Sequence, residues 1–403
     1  MDRIDNLLKR AMRYLSWSQL TGLQCIWVSG EIEMRPREFA IVLAAIMTCH
    51  PTDGQAYSDI AHGDPIKMLA SLEPIDAHAH IYMDDPSVTE MLSRFNMHFL
   101  DILVIDDRDS YFKELEPQFG QAMSVVRSNK ARVSLCTTFS PYDFEDSGFH
   151  RRVIRQLDED FDRGAVAVKI YKTIGMEIKT KDGRYLMPDD PVFDPIYDEI
   201  EARNRTVVAH LAEPTSCWQS PNLGSPDYSY YKDNPQEYAY LHPGWPSKEQ
   251  ILRARDHVLE RHPNLRVVGA HLGSLEVNVD DMAKRFDRYP NFAVDTAARI
   301  DYFKLQSRKK VRAFLIKYQD RVLYGTDLAS APGTDPAAAM KGAERMYASD
   351  WRYFATDALI EFHGRKIRGL GLPPSVLRRL YHDNAVRWFP GILSAANEKP
   401  PAP

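Results

Sequence analysis

A short apolar stretch, residues 74–82, carries Asp76, His78 and His80 at alternate positions. Side chains of a β-strand alternate between its two faces, so the spacing predicts that all three share one face. Unpaired polar groups are costly to bury, and imidazole is the commonest metal ligand in proteins. The stretch therefore predicts a strand whose two histidines bind one metal ion. The alternative is a half-exposed strand with two solvated histidines.

Further side chains that could bind a metal or polarise a substrate lie within predicted strands or at their ends: Lys169, His210, His271 and Asp327. A single strand-end histidine is usually structural. Four histidines and an aspartate on four strands are hard to explain by packing alone. Nitrogen and carboxylate ligands suit Zn²⁺, with Mn²⁺ or Fe²⁺ as alternatives.

The elements that must position these side chains alternate regularly from Pro74 onward. Short β-rich runs are separated by helical patterns, which indicates parallel strands joined by crossover helices. The predicted strands cover residues 74–82, 99–105, 131–137, 165–171, 206–210, 265–271, 292–295 and 322–324. Eight such units in about 260 residues predict an α/β fold, a (β/α)₈ TIM barrel with its active site at the C-terminal strand ends. A doubly wound open sheet is the alternative, although no GxGxxG follows any strand.

Two long connections depart from a minimal barrel. The first is an excursion after strand 5 that is rich in aromatic residues and prolines, with Trp218 among them. We interpret it as a lid over the site, or as a segment whose tyrosines pack only on one another. The second runs from Ala329 to Pro374 and predicts a helix over residues 337–362, before a terminal helix that ends at Arg387.

The composition is typical of a globular protein, because the 403 residues are 44% hydrophobic and 27% charged, with a net charge of -5. There is no extended basic face and no apolar run of membrane-spanning length. We therefore expect neither a nucleic-acid partner nor a membrane span. The four cysteines form no CxxC pair or zinc spacing. The expected partner is a small-molecule substrate, and a homo-oligomer is compatible with the sequence.

The residues before the barrel divide into three stretches. Residues 34–56 combine a basic start, a short apolar core and a small-residue exit, which are the parts of a secretory signal peptide. In that interpretation residues 1–33 are a non-native extension and residues 57–73 lead into the barrel. The alternative is an amphipathic N-terminal helix. The signal predicts a periplasmic or secreted protein, and its absence a cytoplasmic one; the barrel is predicted over residues 74–393 and a disordered tail over 394–403.

The combined motif resembles that of the metal-dependent amidohydrolase superfamily. Its order is His-x-His, a lysine in strand four, two strand-end histidines and a final aspartate. The phrases AHLGS at 270–274, YGTD at 324–327 and HDNAVRWF at 382–389 resemble the amidohydrolase-related branch, which contains aminocarboxymuconate-semialdehyde decarboxylase. The resemblance spans about residues 74–389.

This resemblance implies the ligands of one metal ion, namely His78, His80, His210 and Asp327. In relatives with one ion, His271 polarises the substrate or holds the attacking water. In relatives with two ions, His271 binds the second ion and a carboxylated Lys169 bridges both. An unmodified ammonium is repelled by a dication, so Lys169 is a ligand only after carboxylation; otherwise it binds a substrate carboxylate or points elsewhere. Asp76 would orient the histidines or serve as a buried structural acid.

The implied reaction is hydrolysis of a C–N or C–O bond in a small amide, lactone or ester. The metal lowers the pKa of its water towards about 7, Asp327 carries the proton to the leaving group, and His271 polarises the scissile carbonyl. The alternative at the same site is decarboxylation of an unsaturated or aromatic carboxylic acid. Arg299 and Lys172 are candidate substrate-binding residues or scaffold ion pairs, and Trp218 is a candidate surface for a ring.

Overall fold

A computed structural model of the chain describes residues 64–109, 111–129, 132–330 and 335–393. The predicted N-terminal extension, signal peptide and C-terminal tail, and part of the lead-in, lie outside these residues. Within the described ranges, no helix combines the length and the apolar character needed to cross a membrane.

The described residues form a TIM-barrel-like α/β fold around one nine-stranded parallel sheet. Its strands are β1 (Ile75–Ile81), β2 (His98–Ile102), β3 (Val133–Thr138), β4 (Ala165–Ile170), β5 (Thr206–Ala209), β6 (Arg266–Gly269), β7 (Phe292–Asp295), β8 (Val322–Leu323) and β9 (Leu328–Ser330). Each strand from β1 to β8 pairs with the next, and β9 pairs with β1. Residues 322–330 therefore hydrogen-bond to β7 on one side and to β1 on the other.

Helices occupy the connections between the strands. They are α1 (Pro65–Ala70), α2 (Pro86–Arg94), α3 (Leu115–Ser128), α4 (Phe149–Asp162), α5 (Asp194–Ala202), α6 (Tyr228–Asp233), α7 (Lys248–Arg261), α8 (Val279–Arg288), α9 (Ile300–Lys304), α10 (Arg308–Lys317), α11 (Pro336–Ala355), α12 (Pro374–Arg378) and α13 (Asn384–Trp388). A π-helical turn, Arg379–Asp383, joins the last two. Short helical turns cover Thr173–Met176, Ala270–Gly273 and Pro191–Phe193.

Two groups of buried apolar side chains hold these elements together. The larger group combines side chains of the strands with those of the helices. The smaller group contains alternate strand residues such as Leu100 and Val268, together with Trp388 and Phe389 near the C-terminus. The carbonyl of Trp388 accepts a hydrogen bond from the hydroxyl of Thr206, the first residue of β5. The C-terminal segment therefore packs at the N-terminal ends of the strands and leaves their C-terminal ends free for a site.

The helix predicted over residues 337–362 is wrong at its C-terminal end. Helix α11 ends at Ala355, and β10 (Leu359–Phe362) pairs with β11 (Arg365–Arg368) in an antiparallel hairpin. His363 and Gly364 connect the two strands with φ angles of 49° and 71°. Two successive positive φ angles are typical of the tight turns that join hairpin strands, and they are incompatible with a continuing helix. The turn therefore overrides the helical pattern.

The connection between β5 and α7 spans residues 210–247. It contains α6 and three 3₁₀ turns, namely Thr215–Trp218, Pro235–Glu237 and Ala239–Leu241. Tyrosines of this excursion pack on one another, and the stacked rings of Tyr231 and Tyr238 have centroids 5.0 Å apart. Tyr231 also lines a cavity of about 670 Å³ at the C-terminal ends of the strands, so part of the excursion contributes to the wall of that cavity. Its role as a lid stays a prediction.

Candidate metal centre

His78 and His80 lie on β1, and Asp327 lies between β8 and β9. Because β1 pairs with β9, the three side chains meet at the C-terminal ends of these strands. The Nε2 atoms of His78 and His80 lie 3.5 and 3.3 Å from Oδ1 of Asp327. One ligand atom from each residue lies within 4.8 Å of those of the other two. This group could hold a metal ion.

His210 and His271, which follow β5 and β6, lie beside this group. The ring of His271 lies 4.8 Å from that of His78 and 4.3 Å from that of His210, measured between centroids. Lys169 on β4 places Nζ 3.1 Å from Nε2 of His78. We call His78, His80, Lys169, His210, His271 and Asp327 the metal cluster. The fold brings all these predicted ligands into one neighbourhood, although His210 lies outside the tight group of three and faces Glu213 at 3.7 Å.

Three imidazoles of the metal cluster use Nδ1 for a hydrogen bond to a group that can only accept. The pairs are His78 with Oδ2 of Asp295 at 2.8 Å, His80 with the carbonyl of Ile102 at 2.7 Å, and His271 with the carbonyl of Ala297 at 3.0 Å. Each Nδ1 therefore carries the hydrogen and each Nε2 keeps its lone pair, which at His78 faces Nζ of Lys169 at 3.1 Å. Metal-binding histidines are usually oriented in this way. The donor set fits a divalent cation.

Asp295, the last residue of β7, connects two of these histidines, although we predicted no role for it from the sequence. Its Oδ2 accepts the hydrogen bond from Nδ1 of His78, and its Oδ1 accepts from the backbone N–H of His271 at 2.8 Å. The carboxylate is fully buried. The available signal was its place at the end of a predicted strand, which is the same signal that identified Asp327.

Asp327 and His271 both have left-handed backbone conformations, with φ angles of 67° and 58°. Such a conformation costs on the order of 1–3 kcal/mol for a residue other than glycine. Local contacts hold it, since the N–H of Asp327 donates to the carbonyl of His78 at 2.8 Å. At Gly325, an added Cβ would lie 3.0 Å from Cβ of His78. Glycine therefore allows the chain before Asp327 to approach β1 closely.

Burial sets the protonation states of the metal cluster. It lowers the pKa of His78 and His271 well below the usual value, with help from neighbouring positive charges, and it lowers the pKa of His210 to about 4. Burial also lowers the pKa of Lys169. Burial alone would raise the pKa of Asp327, but the histidines, His271 first, hold it well below its usual range. Neutral imidazoles and an ionised carboxylate are the forms that bind metal.

Asp76 does not share a face with the two histidines, contrary to the prediction. The register of β1 against β2 shifts between Asp76 and Ala79, which interrupts the alternation of side chains. The carboxylate instead accepts hydrogen bonds from the hydroxyl of Tyr347 at 2.8 Å and from the N–H and hydroxyl of Thr326. Asp76 therefore ties β1 to the segment before Asp327, and burial raises its pKa to about 6.

A cavity of about 670 Å³ opens above the metal cluster. Lys172 and Arg299 both line it, and both are paired with carboxylates. Nζ of Lys172 contacts Glu213 and lies 2.9 Å from Oε2 of Glu237, while Arg299 lies 3.7 Å from Oε2 of Glu213. Trp218 does not line this cavity, and its indole N–H donates to the carbonyl of Pro246 at 3.1 Å.

The chain is similar to several proteins of known structure. Similar solved structures include 2,6-dihydroxybenzoate decarboxylase from Rhizobium, with 13% identity, a TM-score of 0.46, and coverage of 78% of this chain and 98% of that one. They also include 5-carboxyvanillate decarboxylase from Sphingomonas paucimobilis (16%, 0.41, 79% and 99%). A third is 4-oxalomesaconate hydratase from Rhodopseudomonas palustris (12%, 0.44, 80% and 97%).

No curated protein sequence matches the chain. The sequence model that describes the amidohydrolase family matches residues 75–391, which include the whole metal cluster and every strand of the main sheet. The chain belongs to the amidohydrolase family.

Proposed function

We propose that the chain is a metal-dependent hydrolase that cleaves a C–N or C–O bond of a small amide, lactone or ester. The observation that carries this proposal is the orientation of three imidazoles, each of which donates from Nδ1 and keeps the lone pair of Nε2. Two of these Nε2 atoms, in His78 and His80, lie 3.5 and 3.3 Å from the Asp327 carboxylate. His78, His80 and Asp327 would hold one divalent cation, for which zinc is our first candidate. His210, His271 and a carboxylated Lys169 are available to a second ion.

When bound, the cation would supply a Lewis acid and water that is acidic enough to ionise near neutral pH. Asp327 is ionised, so its carboxylate can take a proton from the attacking water and return it to the leaving nitrogen or oxygen. Neutral His271 donates from Nδ1 to the carbonyl of Ala297, so its Nε2 accepts hydrogen bonds and does not donate them. We therefore favour His271 as the residue that holds the attacking water, or as a ligand, over a role in polarising the substrate carbonyl.

Decarboxylation of an unsaturated or aromatic acid is the alternative reaction at these residues. A carboxylate substrate gains from a cationic partner in the cavity, in addition to any metal. The lining cations away from the metal cluster are Arg108, Lys172 and Arg299, and each lies within 4.0 Å of a protein carboxylate. This pairing supports hydrolysis over decarboxylation.

A panel of lactones, cyclic amides and aromatic carboxylates, assayed for release of acid and of CO₂, tests the proposal. We expect acid release from a lactone or amide, loss of that activity after chelation, and its recovery with Zn²⁺. Release of CO₂ alone would establish the decarboxylase. Metal analysis addresses the number of ions: about two per chain, lost in Lys169→Ala, supports a bridging lysine, whereas one per chain contradicts it. Protein that binds no divalent metal would overturn both reactions.

A further inference from the structure

The charged residues that line the cavity away from the metal cluster come from loops, and carboxylates outnumber cations among them. The cations Arg108, Lys172 and Arg299 face five carboxylates, namely Asp106, Asp109, Glu213, Asp227 and Glu237. We call these residues the loop wall. An excess of negative charge in a concave, partly desolvated surface attracts positive ligands and repels negative ones.

The cations of the loop wall are already engaged with some of these carboxylates. Arg108 lies 2.6 Å from Oδ2 of Asp106 and 2.8 Å from Oε1 of Glu237, and it also reaches Glu177 at 2.9 Å. Lys172 contacts Glu213 and Glu237, as described above. Among the described residues, none places a cationic nitrogen within 4.0 Å of Asp109 or Asp227. Two carboxylates of the loop wall therefore have no ion-pair contact within the described residues.

Asp227 is the more enclosed of the two, with 8% of its surface exposed. Its Oδ2 accepts a hydrogen bond from the hydroxyl of Ser216 at 2.6 Å and another from the hydroxyl of Tyr302. Its Oδ1 accepts no hydrogen bond from any residue in the described ranges, yet that atom is not sealed inside the protein. Asp227 lines the cavity, and Oδ1 is its carboxylate oxygen without a donor in the described residues, so we infer that Oδ1 is the atom that meets a ligand there.

Arg299 is a cation of the loop wall that interacts electrostatically with Asp227 and could occupy the place of a positively charged ligand. Burial would lower the pKa of Arg299, but Glu213 first and Asp227 second raise it, so the guanidinium interacts with both carboxylates. Its ion-pair contact is with Glu213, and its Nη1 donates to the carbonyl of Ala298 at 3.0 Å. Arg299 is thus held on the Glu213 side, which leaves Oδ1 of Asp227 without a donor.

We propose that Asp227 binds a positively charged group, an ammonium or a guanidinium, on the part of the substrate remote from the bond that is cleaved. This inference rests on the proposed function, because it places the reactive end of the substrate at the metal cluster. A cation gains a charge-assisted hydrogen bond at Oδ1, which is stronger than a bond between neutral groups. Tyr230 lines the same cavity, and Nζ of Lys172 lies 5.9 Å from the centroid of its ring, so an aromatic surface that suits a cation is present there.

Three hydroxamic acids provide a direct test, because a hydroxamate chelates a divalent metal ion without being cleaved. They are hexanohydroxamic acid and its derivatives with a terminal ammonium or a terminal carboxylate. Binding to the metal-loaded protein is measured by isothermal titration calorimetry. We expect the ammonium probe to bind about tenfold more tightly than the neutral one, and the carboxylate probe to bind most weakly.

Asp227→Asn keeps an acceptor for Ser216 and Tyr302 while it removes the charge, so the preference for ammonium should disappear. Asp233→Asn is the matched control, because Asp233 is an exposed residue of α6 that does not line the cavity. Its preference should equal that of the unaltered protein. Equal affinities of the three probes for the unaltered protein, or an ammonium preference that survives in Asp227→Asn, overturn this inference alone. Failure of all three probes to bind overturns the proposed hydrolase as well.

Discussion

The metal cluster and the loop wall line one cavity, but they are held in place by different means. Three histidines of the cluster are each fixed by a single acceptor, which is a backbone carbonyl or the buried Asp295. The loop wall is held by pairs of opposite charge whose members come from different loops. A backbone carbonyl persists when side chains change, whereas an ion pair fails when either partner is lost. The position of the metal cluster therefore depends mostly on the strands, whereas the loop wall depends on the side chains of several loops.

The largest expected effect comes from the carboxylate of the metal cluster. In the proposed mechanism Asp327→Asn removes a metal ligand and the group that carries the proton, so we expect kcat/KM to fall by about 10³-fold or more. The matched control is Asp357→Asn. It changes an exposed aspartate that does not line the cavity, so it should keep full activity. Initial rates on the best substrate of the panel, with metal content measured in parallel, provide the check. Activity within tenfold of the unaltered protein would remove Asp327 from the mechanism.

Loss of a cation from the loop wall should lower the free energy of unfolding. Lys172→Met removes the cation that the buried Glu213 and Glu237 share. Glu213 then keeps only Arg299 at 3.7 Å, and Glu237 keeps Arg108 at 2.8 Å. We therefore expect a loss of about 3 kcal/mol, the lower end of the cost of breaking a buried pair. Lys284→Met breaks an exposed pair with Asp281, for which we expect less than about 1 kcal/mol. Urea denaturation gives both free energies of unfolding. If the two variants lose the same stability, the charges of the loop wall do not depend on one another as described.

The metal cluster was predictable from sequence because each of its members occupies a strand or a strand end. Parallel strands bring their C-terminal ends together, so positions along the chain translate directly into proximity. The failures within the barrel have local causes. The register shift after Asp76 is invisible in a pattern of alternating residues, and it turns that carboxylate towards Tyr347. Asp295 was missed although its position carried the same signal as that of Asp327.

The loop wall could not be predicted in the same way. Its ion pairs join residues far apart in sequence, such as Arg108 and Glu237, and no periodicity relates two loops. Lys172 and Arg299 were recognised as candidates, but their partners Glu213 and Glu237 decide what they can bind, and those pairings exist only in the folded chain. Asp227 carried no signal in the sequence, because its proposed role depends on the lack of an ion-pair contact among the described residues, which only the folded chain reveals.

A buried acid behind the metal cluster should make stability depend on pH. Asp101 on β2 accepts a hydrogen bond from the N–H of Ile81, and its other oxygen has no partner among the described residues, so burial raises its pKa to about 8. In the window from about pH 4 to pH 8 the folded protein binds a proton that the unfolded chain has released. Stability should therefore fall as the pH rises through this window.

Asp101→Asn resembles the protonated acid and should remove the contribution of Asp101 to this slope. We expect it to stabilise the protein by about 1–2 kcal/mol at about pH 5 and by a few kcal/mol more at about pH 9. Asp160→Asn serves as the control, because that buried acid is held by Thr137 and Gln156 and its pKa is raised less. Urea denaturation at the two pH values measures the free energy of unfolding of each variant. An equal effect of Asp101→Asn at both would contradict the raised pKa.

The smallest effect tests whether an orienting side chain supports the cluster as firmly as a backbone carbonyl does. The two oxygens of Asp295 accept from Nδ1 of His78 and from the N–H of His271, whereas an asparagine has one acceptor and one donor. Whichever way the amide is turned in Asp295→Asn, one N–H faces another N–H. His78 can relieve the clash by moving its hydrogen to Nε2. In that tautomer Nδ1 accepts from the amide, and Nε2 no longer has a lone pair for a metal. We expect metal affinity to fall by about 10- to 100-fold, measured by competition with a chelator, while His80, whose acceptor is the carbonyl of Ile102, keeps its orientation.

Asp295→Glu retains two acceptors and should recover part of the affinity if the tautomer is the cause. An Asp295→Asn protein that binds metal as tightly as the unaltered one would mean that the strands alone orient His78.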